Sequence, residues 1–178
     1  ARDPRDVAVS QFFQWKYRMK TSKKAINQYP AHGADVSIFD FVTDPNAGLL
    51  KVIGFLNLWA REAPNMDDFF LLRYEDLKAE PVETLEKLVA FMGAPASDAD
   101  VREAVEFSSY DNMKKMEAKK TFWLSGGRMK PKDRDNPNSY KVRRAKVGGY
   151  KDYFDDRQVA RIEAITAEHL APLFAYTE

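Results

Sequence analysis

The chain has 178 residues, 44% hydrophobic, 13% aromatic and 31% charged, with a net charge of +1 and no cysteine. That length suits one domain with a sizeable core, and the composition excludes an intrinsically disordered chain, a collagen and a membrane bundle. Without cysteine there is no disulfide, no thiolate ligand and no cysteine nucleophile, and His32 and His169 alone do not make a metal site. The best apolar run, Leu49–Ala60, is interrupted by Lys51 and is far shorter than a spanning helix. No signal-peptide pattern opens the chain, so a cytoplasmic location without a membrane span is expected.

In chain order, Asp3-Pro4-Arg5-Asp6 places an N-cap Asp, a Pro at the first helical position and an acid at the third, which predicts a helix from about Pro4 to Lys24. Residues Tyr29 to Asn46, rich in Pro, Gly and Asp, read as an irregular connection. A second helix, buried on most sides, is expected from Ala47 to about Arg61. Phe69 to Tyr74 is a short apolar run after turn residues and reads as a buried strand of a parallel sheet. Pro81 opens a helix whose Val82, Leu85, Leu88, Val89 and Met92 form one stripe, and Gly93 with Pro95 ends it. Ser97 with Asp100 caps a helix to about Phe107, and Ser109 caps another through Met113 and Met116. Asp155 with Gln158 caps a last helix carrying Val159, Ile162, Ile165, Leu170 and Leu173 to the C-terminus.

Between these helices, Thr121 to Ser139 holds two Gly and two Pro with no period, and reads as a lid-like loop. Charge concentrates from within this loop onward: Gly126 to Lys151 carries nine Lys or Arg against two Asp, while the rest of the chain is net acidic. A basic block on an acidic chain points to an anionic partner held at one place, with a merely solvated basic loop as the bland alternative. Arg143-Arg144 before the Gly148-Gly149 turn could converge on a phosphate with nearby backbone N–H groups. Arg2 lies before a capped helix start, where free N–H groups and the helix dipole favour an anion, and Ser10 lies two turns on. Tyr74 and Tyr110 could flank a planar base, although a tyrosine so placed more often serves core or surface packing. His32 and His169 have no partner at a telling spacing for a general base.

Taken together, several segments resemble the sulfotransferases that use 3′-phosphoadenosine 5′-phosphosulfate. Arg2-Asp3-Pro4-Arg5-Asp6-Val7-Ala8-Val9-Ser10 is similar to the family segment whose Arg and Ser hold the nucleotide 3′-phosphate. Tyr74-Glu75-Asp76-Leu77 with Pro81 resembles the stretch whose Tyr contacts adenine, and Ser108-Ser109-Tyr110 with Met113-Lys114 resembles the one lining it. Arg143-Arg144-Ala145 followed by Gly148-Gly149-Tyr150-Lys151 is similar to a further 3′-phosphate signature, except that Ala145 stands where the family has Gly.

The resemblance implies an α/β fold of the P-loop nucleoside-triphosphate-hydrolase-like kind, helix-rich and with few strands here, in one domain over 1–178. It implies the nucleotide sulfate donor as cofactor and a hydroxyl or amine on a small molecule, glycan or lipid as acceptor. Arg2, Ser10, Arg143 and Arg144 would hold the 3′-phosphate with Ala145 beside them, and Tyr74, Ser108, Tyr110 and Met113 the adenosine. The family's phosphosulfate loop and catalytic His would lie before Arg2, so the chain resembles the later part of the domain and is expected to bind donor without performing the chemistry. The alternatives are a nucleic-acid-binding module using the basic block, for which Tyr140, Tyr150 and Tyr153 could stack bases, and a non-catalytic scaffold.

Overall fold

A computed structural model describes residues 1–119 and 130–176. Its helices are α1 (Pro4–Phe13), α2 (Thr21–Ile26), α3 (Ile38–Thr43), α4 (Leu49–Glu62), α5 (Tyr74–Ala79), α6 (Pro81–Met92), α7 (Asp98–Phe107), α8 (Tyr110–Lys119) and α9 (Asp156–His169), with several single turns between them. They divide between two compact units, one of Ala1–Phe69 with Lys146–Glu178 and one of Phe70–Ala145.

In the first unit α1 begins as its sequence dictates. The Asp3 carboxylate accepts the Arg5 N–H at 2.9 Å and grips the Arg5 guanidinium with both oxygens, while Pro4 fills the first helical position. The long first helix expected as far as Lys24 is interrupted. Residues Gln14–Arg18 form a π turn, closed by the Met19 N–H on the Gln14 carbonyl at 2.8 Å, and extended backbone at Met19 separates it from α2. The wide turn accompanies burial of Trp15, 1% exposed, whose indole N–H donates to the Pro30 carbonyl at 2.9 Å. Phe12, Trp15, Tyr29 and Phe41 pack ring to ring, with centroids 5.2–5.8 Å apart. Beside them the Lys24 ammonium is buried 3.0 Å from His32 Nδ1, and loss of hydration lowers its pKa.

The connection from Tyr29 to Asn46 also holds a helix. α3 is capped by Ser37, whose hydroxyl accepts the Asp40 N–H at 3.0 Å and donates to the Asp40 carboxylate at 2.7 Å. α4 buries only one face, through Leu49, Val52, Ile53 and Leu56, and leaves Phe55 60% exposed with Leu58 and Trp59 also open. The expectation of burial on most sides is therefore corrected: its apolar residues outnumber the positions that face α1 and α9. α9 starts in a reciprocal cap between Asp155 and Gln158 but does not run to the C-terminus as expected: it stops at His169, where Leu170 turns extended, and Leu173 lies in a separate 3₁₀ turn, Pro172–Phe174. Asn57 of α4 ties down the end of α9, donating to the His169 carbonyl at 2.7 Å and accepting the Ala171 N–H at 2.8 Å.

The second unit is helical as well. Residues 70–73 lie outside any helix, with Arg73 extended, and join no ladder, and Tyr74 opens α5 instead of closing a strand. Among the described residues no strand forms; an apolar run becomes a strand only where a second stretch of chain pairs with it in a ladder. The α/β expectation thus holds in its helix-rich character and not in this strand. Glu75 and Asp76 lie in the first turn of α5, where the helix dipole favours acids. α6 ends at Gly93, whose φ of +61° closes the helix, and Phe70 stacks on Phe91 at 5.3 Å. Ser97 and Asp100 form the expected reciprocal cap on α7. Thr121–Met129 of the expected lid lies outside the described residues, and Pro137–Ser139 forms a single 3₁₀ turn capped by Asn136.

Candidate functional site

In the second unit the chain from Lys141 to Ala145 is held by side chains from two helices. Glu117 on α8 is wholly buried, and its carboxylate accepts the N–H groups of Lys141 at 2.7 Å and Val142 at 2.8 Å. Seven residues earlier on the same helix, and so on the same face, Tyr110 donates its hydroxyl to the Arg143 carbonyl at 2.9 Å. Tyr74, at the start of α5, places its hydroxyl 3.5 Å from the Ala145 carbonyl, at the outer limit of a hydrogen bond. Tyr74, Tyr110, Arg143 and Ala145, proposed from distant parts of the sequence, are therefore neighbours. The Lys114 ammonium donates to the Tyr110 hydroxyl at 3.1 Å and lies 5.3 Å from its ring centroid. Met113 is half-buried one turn after Tyr110. Ser108 ends α7 and donates its hydroxyl to the Ala104 carbonyl at 2.8 Å, so that oxygen is left to accept rather than to donate.

Ala145 has φ +50°, in the left-handed region. The methyl group crowds the backbone there, which costs roughly 1–2 kcal/mol, and this gives the reason for a glycine at this place in the similar signature. Ala145→Gly is expected to stabilise the chain by about 0.5 kcal/mol, the relief of strain being partly offset by the freer unfolded chain. Urea unfolding of the two proteins checks this, and a destabilised glycine variant would contradict it.

Arg143 also lines a pocket of about 310 Å³ with Lys114, Arg134, Asp135, Tyr140 and Val142. Cations outnumber the single carboxylate in its wall, so its potential is positive. Arg144 is exposed.

In the first unit, the Arg2 guanidinium lies 3.3 Å from the Lys146 carbonyl and 3.6 Å from the Asp6 carboxylate. Asp6 is buried, and its two oxygens accept the N–H groups of Gly148 and Tyr150, each at 2.9 Å. Burial raises the Asp6 pKa, opposed by the Tyr150 N–H and the Arg2 charge. Ser10 is exposed on α1. Asp6 and Glu117 are the two site residues that the sequence reading left without a role in holding this stretch.

Tyr150 is 2% exposed, lies under the Arg5 guanidinium at 4.9 Å and donates its hydroxyl to Glu163 at 2.8 Å. Burial and that carboxylate push its pKa up. It cannot stack on a nucleic-acid base, and Tyr153 is packed 5.4 Å from Phe13. Two of the three rings required by the nucleic-acid alternative are thus committed to packing. His32 is paired with Lys24, and His169 lies 3.7 Å from Glu168.

The family model for the sulfotransferase domain matches residues 1–174. Among curated proteins the chain is 27% identical to cytosolic sulfotransferase 17 of Arabidopsis thaliana, covering 94% of this chain and 47% of that protein. It is 26% identical to flavonol 3-sulfotransferase of Flaveria bidentis, covering 95% and 53%. The chain thus spans about half the length of the curated relatives it matches. Among solved structures it superposes on retinol dehydratase, crystallised with androsterone and the inactive cofactor PAP, with a TM-score of 0.61 and 21% identity over 95% of this chain and 45% of that one. A mouse sulfotransferase complexed with PAP gives 0.63 and 20% over 95% and 55%. At these identities the superpositions show the fold. No described helix is long and apolar enough to cross a membrane.

Proposed function

Since the chain belongs to the sulfotransferase domain family, we propose that it binds the donor 3′-phosphoadenosine 5′-phosphosulfate for transfer of a sulfuryl group to a hydroxyl or amine of a small molecule, glycan or lipid. The donor supplies the sulfuryl group; the residues of this chain grip its nucleotide end. The observation that carries the reading is the joining of three separate motifs at one place, where Tyr110 holds the Arg143 carbonyl and Tyr74 reaches that of Ala145. Two aromatic rings beside a cationic stretch suit an adenosine bearing a phosphate. In this proposal Tyr74, Tyr110, Met113 and the accepting Ser108 hydroxyl contact the adenosine, the last through the exocyclic amine, and Arg143 and Arg144 bind the 3′-phosphate beside Ala145. Arg2 and Ser10 enter on their motif. The solved relatives holding PAP support the same ligand class.

Adenosine 3′,5′-bisphosphate differs from AMP by the 3′-phosphate alone. Charge-assisted bonds to a phosphate contribute about 1.5–3 kcal/mol each, so the bisphosphate is expected to bind at least about tenfold more tightly. Titration calorimetry of the purified chain with the two nucleotides measures the ratio, and equal affinities would reject the proposal.

A further inference from the structure

The two arginines assigned to the phosphate lie on a stretch outside any helix, and something must fix where they point. The wholly buried acid of α8 meets that need in its geometry. One carboxylate accepts two consecutive peptide N–H groups, those of Lys141 and Val142, at 2.7 and 2.8 Å. Two bonds from one rigid planar group fix the position of the chain and also its rotation about its own axis, which a single bond leaves free. Arg143 follows directly, and its carbonyl is taken by Tyr110 on the same helix face. Three consecutive residues thus have one backbone group each referred to α8.

We propose that Glu117 is a positioning residue for the phosphate-binding arginines: by holding the peptides of Lys141 and Val142 it sets the direction of Arg143 and Arg144 toward the 3′-phosphate. This deepens the nucleotide reading above and rests on it. Glu117 touches no ligand itself; its effect passes through the backbone. None of the motifs that carry the family resemblance includes it.

Glu117→Gln keeps the shape and length of the side chain but turns one acceptor into an NH₂ donor, which then faces a peptide N–H. The stretch is released at one or both N–H groups and the arginines are no longer aimed. The expected result is selective: affinity for adenosine 3′,5′-bisphosphate falls about tenfold, while affinity for AMP changes by less than about twofold, since AMP lacks the group the arginines bind. Calorimetry with both nucleotides on wild type and variant reads the change in ratio.

A wild type that does not distinguish the two nucleotides would reject the nucleotide reading, and this proposal with it. A wild type that does, beside a Glu117→Gln variant with the same preference, would overturn the positioning role alone. So would an equal loss for both nucleotides, which marks a merely structural residue. If circular dichroism shows Glu117→Gln unfolded, Glu117→Asp takes its place. The side chain of Asp carries the same carboxylate on a stem one methylene shorter, so it falls short of the two N–H groups, and an intermediate loss of preference, about threefold, is expected; an unchanged preference would overturn the proposal.

Discussion

Gly48→Ala is expected to destabilise the chain by about 3 kcal/mol or more. A β-carbon at this position would lie 2.1 Å from the Val42 carbonyl oxygen and 2.4 Å from that of Phe41. Both obstacles are backbone, so no side-chain rotation relieves them. Gly48 stands at the start of α4, and the turn leading to it is fastened at several points. The Asp44 carboxylate accepts the N–H groups of Asn46 and Ala47, each at 2.8 Å, and the Gly48 N–H donates to the Asp44 carbonyl at 3.0 Å. Making room for a methyl group means moving α3 away from α4, and both Phe41 and Leu49, fully buried on either side of the turn, would lose contacts. Urea unfolding followed by circular dichroism measures the cost. A variant within about 1 kcal/mol of wild type would show that the turn adapts more readily than its geometry implies.

The second large effect is expected at Asp6. Asp6→Ala strands the N–H groups of Gly148 and Tyr150 in the interior, and each buried unsatisfied donor costs about 1–3 kcal/mol, so a loss of about 3 kcal/mol is the expected result. Asp6→Asn, which keeps one acceptor, should cost less. It also isolates a pH effect. Burial holds the Asp6 pKa above its ordinary 3.8, so the folded chain binds that proton more tightly than the unfolded one does. The contribution of Asp6 to stability therefore falls as pH climbs from 3.8 through the raised value and is level above it. Subtracting the Asn variant's stability curve from that of the wild type should display this fall. A difference curve that rises with pH would reverse the assignment of burial as the dominant influence.

What could be read from the sequence was mostly what is local. The caps at Asp3, Ser97 and Asp155 are written in residues three or fewer apart, and each forms as expected. Ser37 and Asp40 carry the same three-residue signature, yet the Pro, Gly and Asp around them drew the reading toward a loop. The strand expected at Phe69 to Tyr74 failed for a different reason: apolar content reports burial, whereas a strand is a relation between two stretches of chain. Long-range partnerships were the least legible. Glu117 sits among lysines on α8 and reads as part of a solvated face, because the N–H groups that require it lie 24 and 25 residues away. Asp6 reads as a helix-start acid, and its partners are 142 and 144 residues distant. Ala145 could be noticed only because similar sequences place glycine there, and its positive φ supplies the cause.

Lys141–Arg143 in the second unit and Lys146–Tyr150 in the first are each gripped largely through the main chain. Glu117 and Asp6 take their N–H groups, while Tyr110 and Arg2 take their carbonyls. A peptide group is the same whatever side chain its residue bears, so these grips survive exchange of the residues they hold. The path of the chain and the chemistry it displays are in this way inherited separately. Side chains at positions 143 and 144 are therefore expected to be exchangeable with the path left in place, so that under the proposed nucleotide reading a change of ligand preference need not disturb the fold.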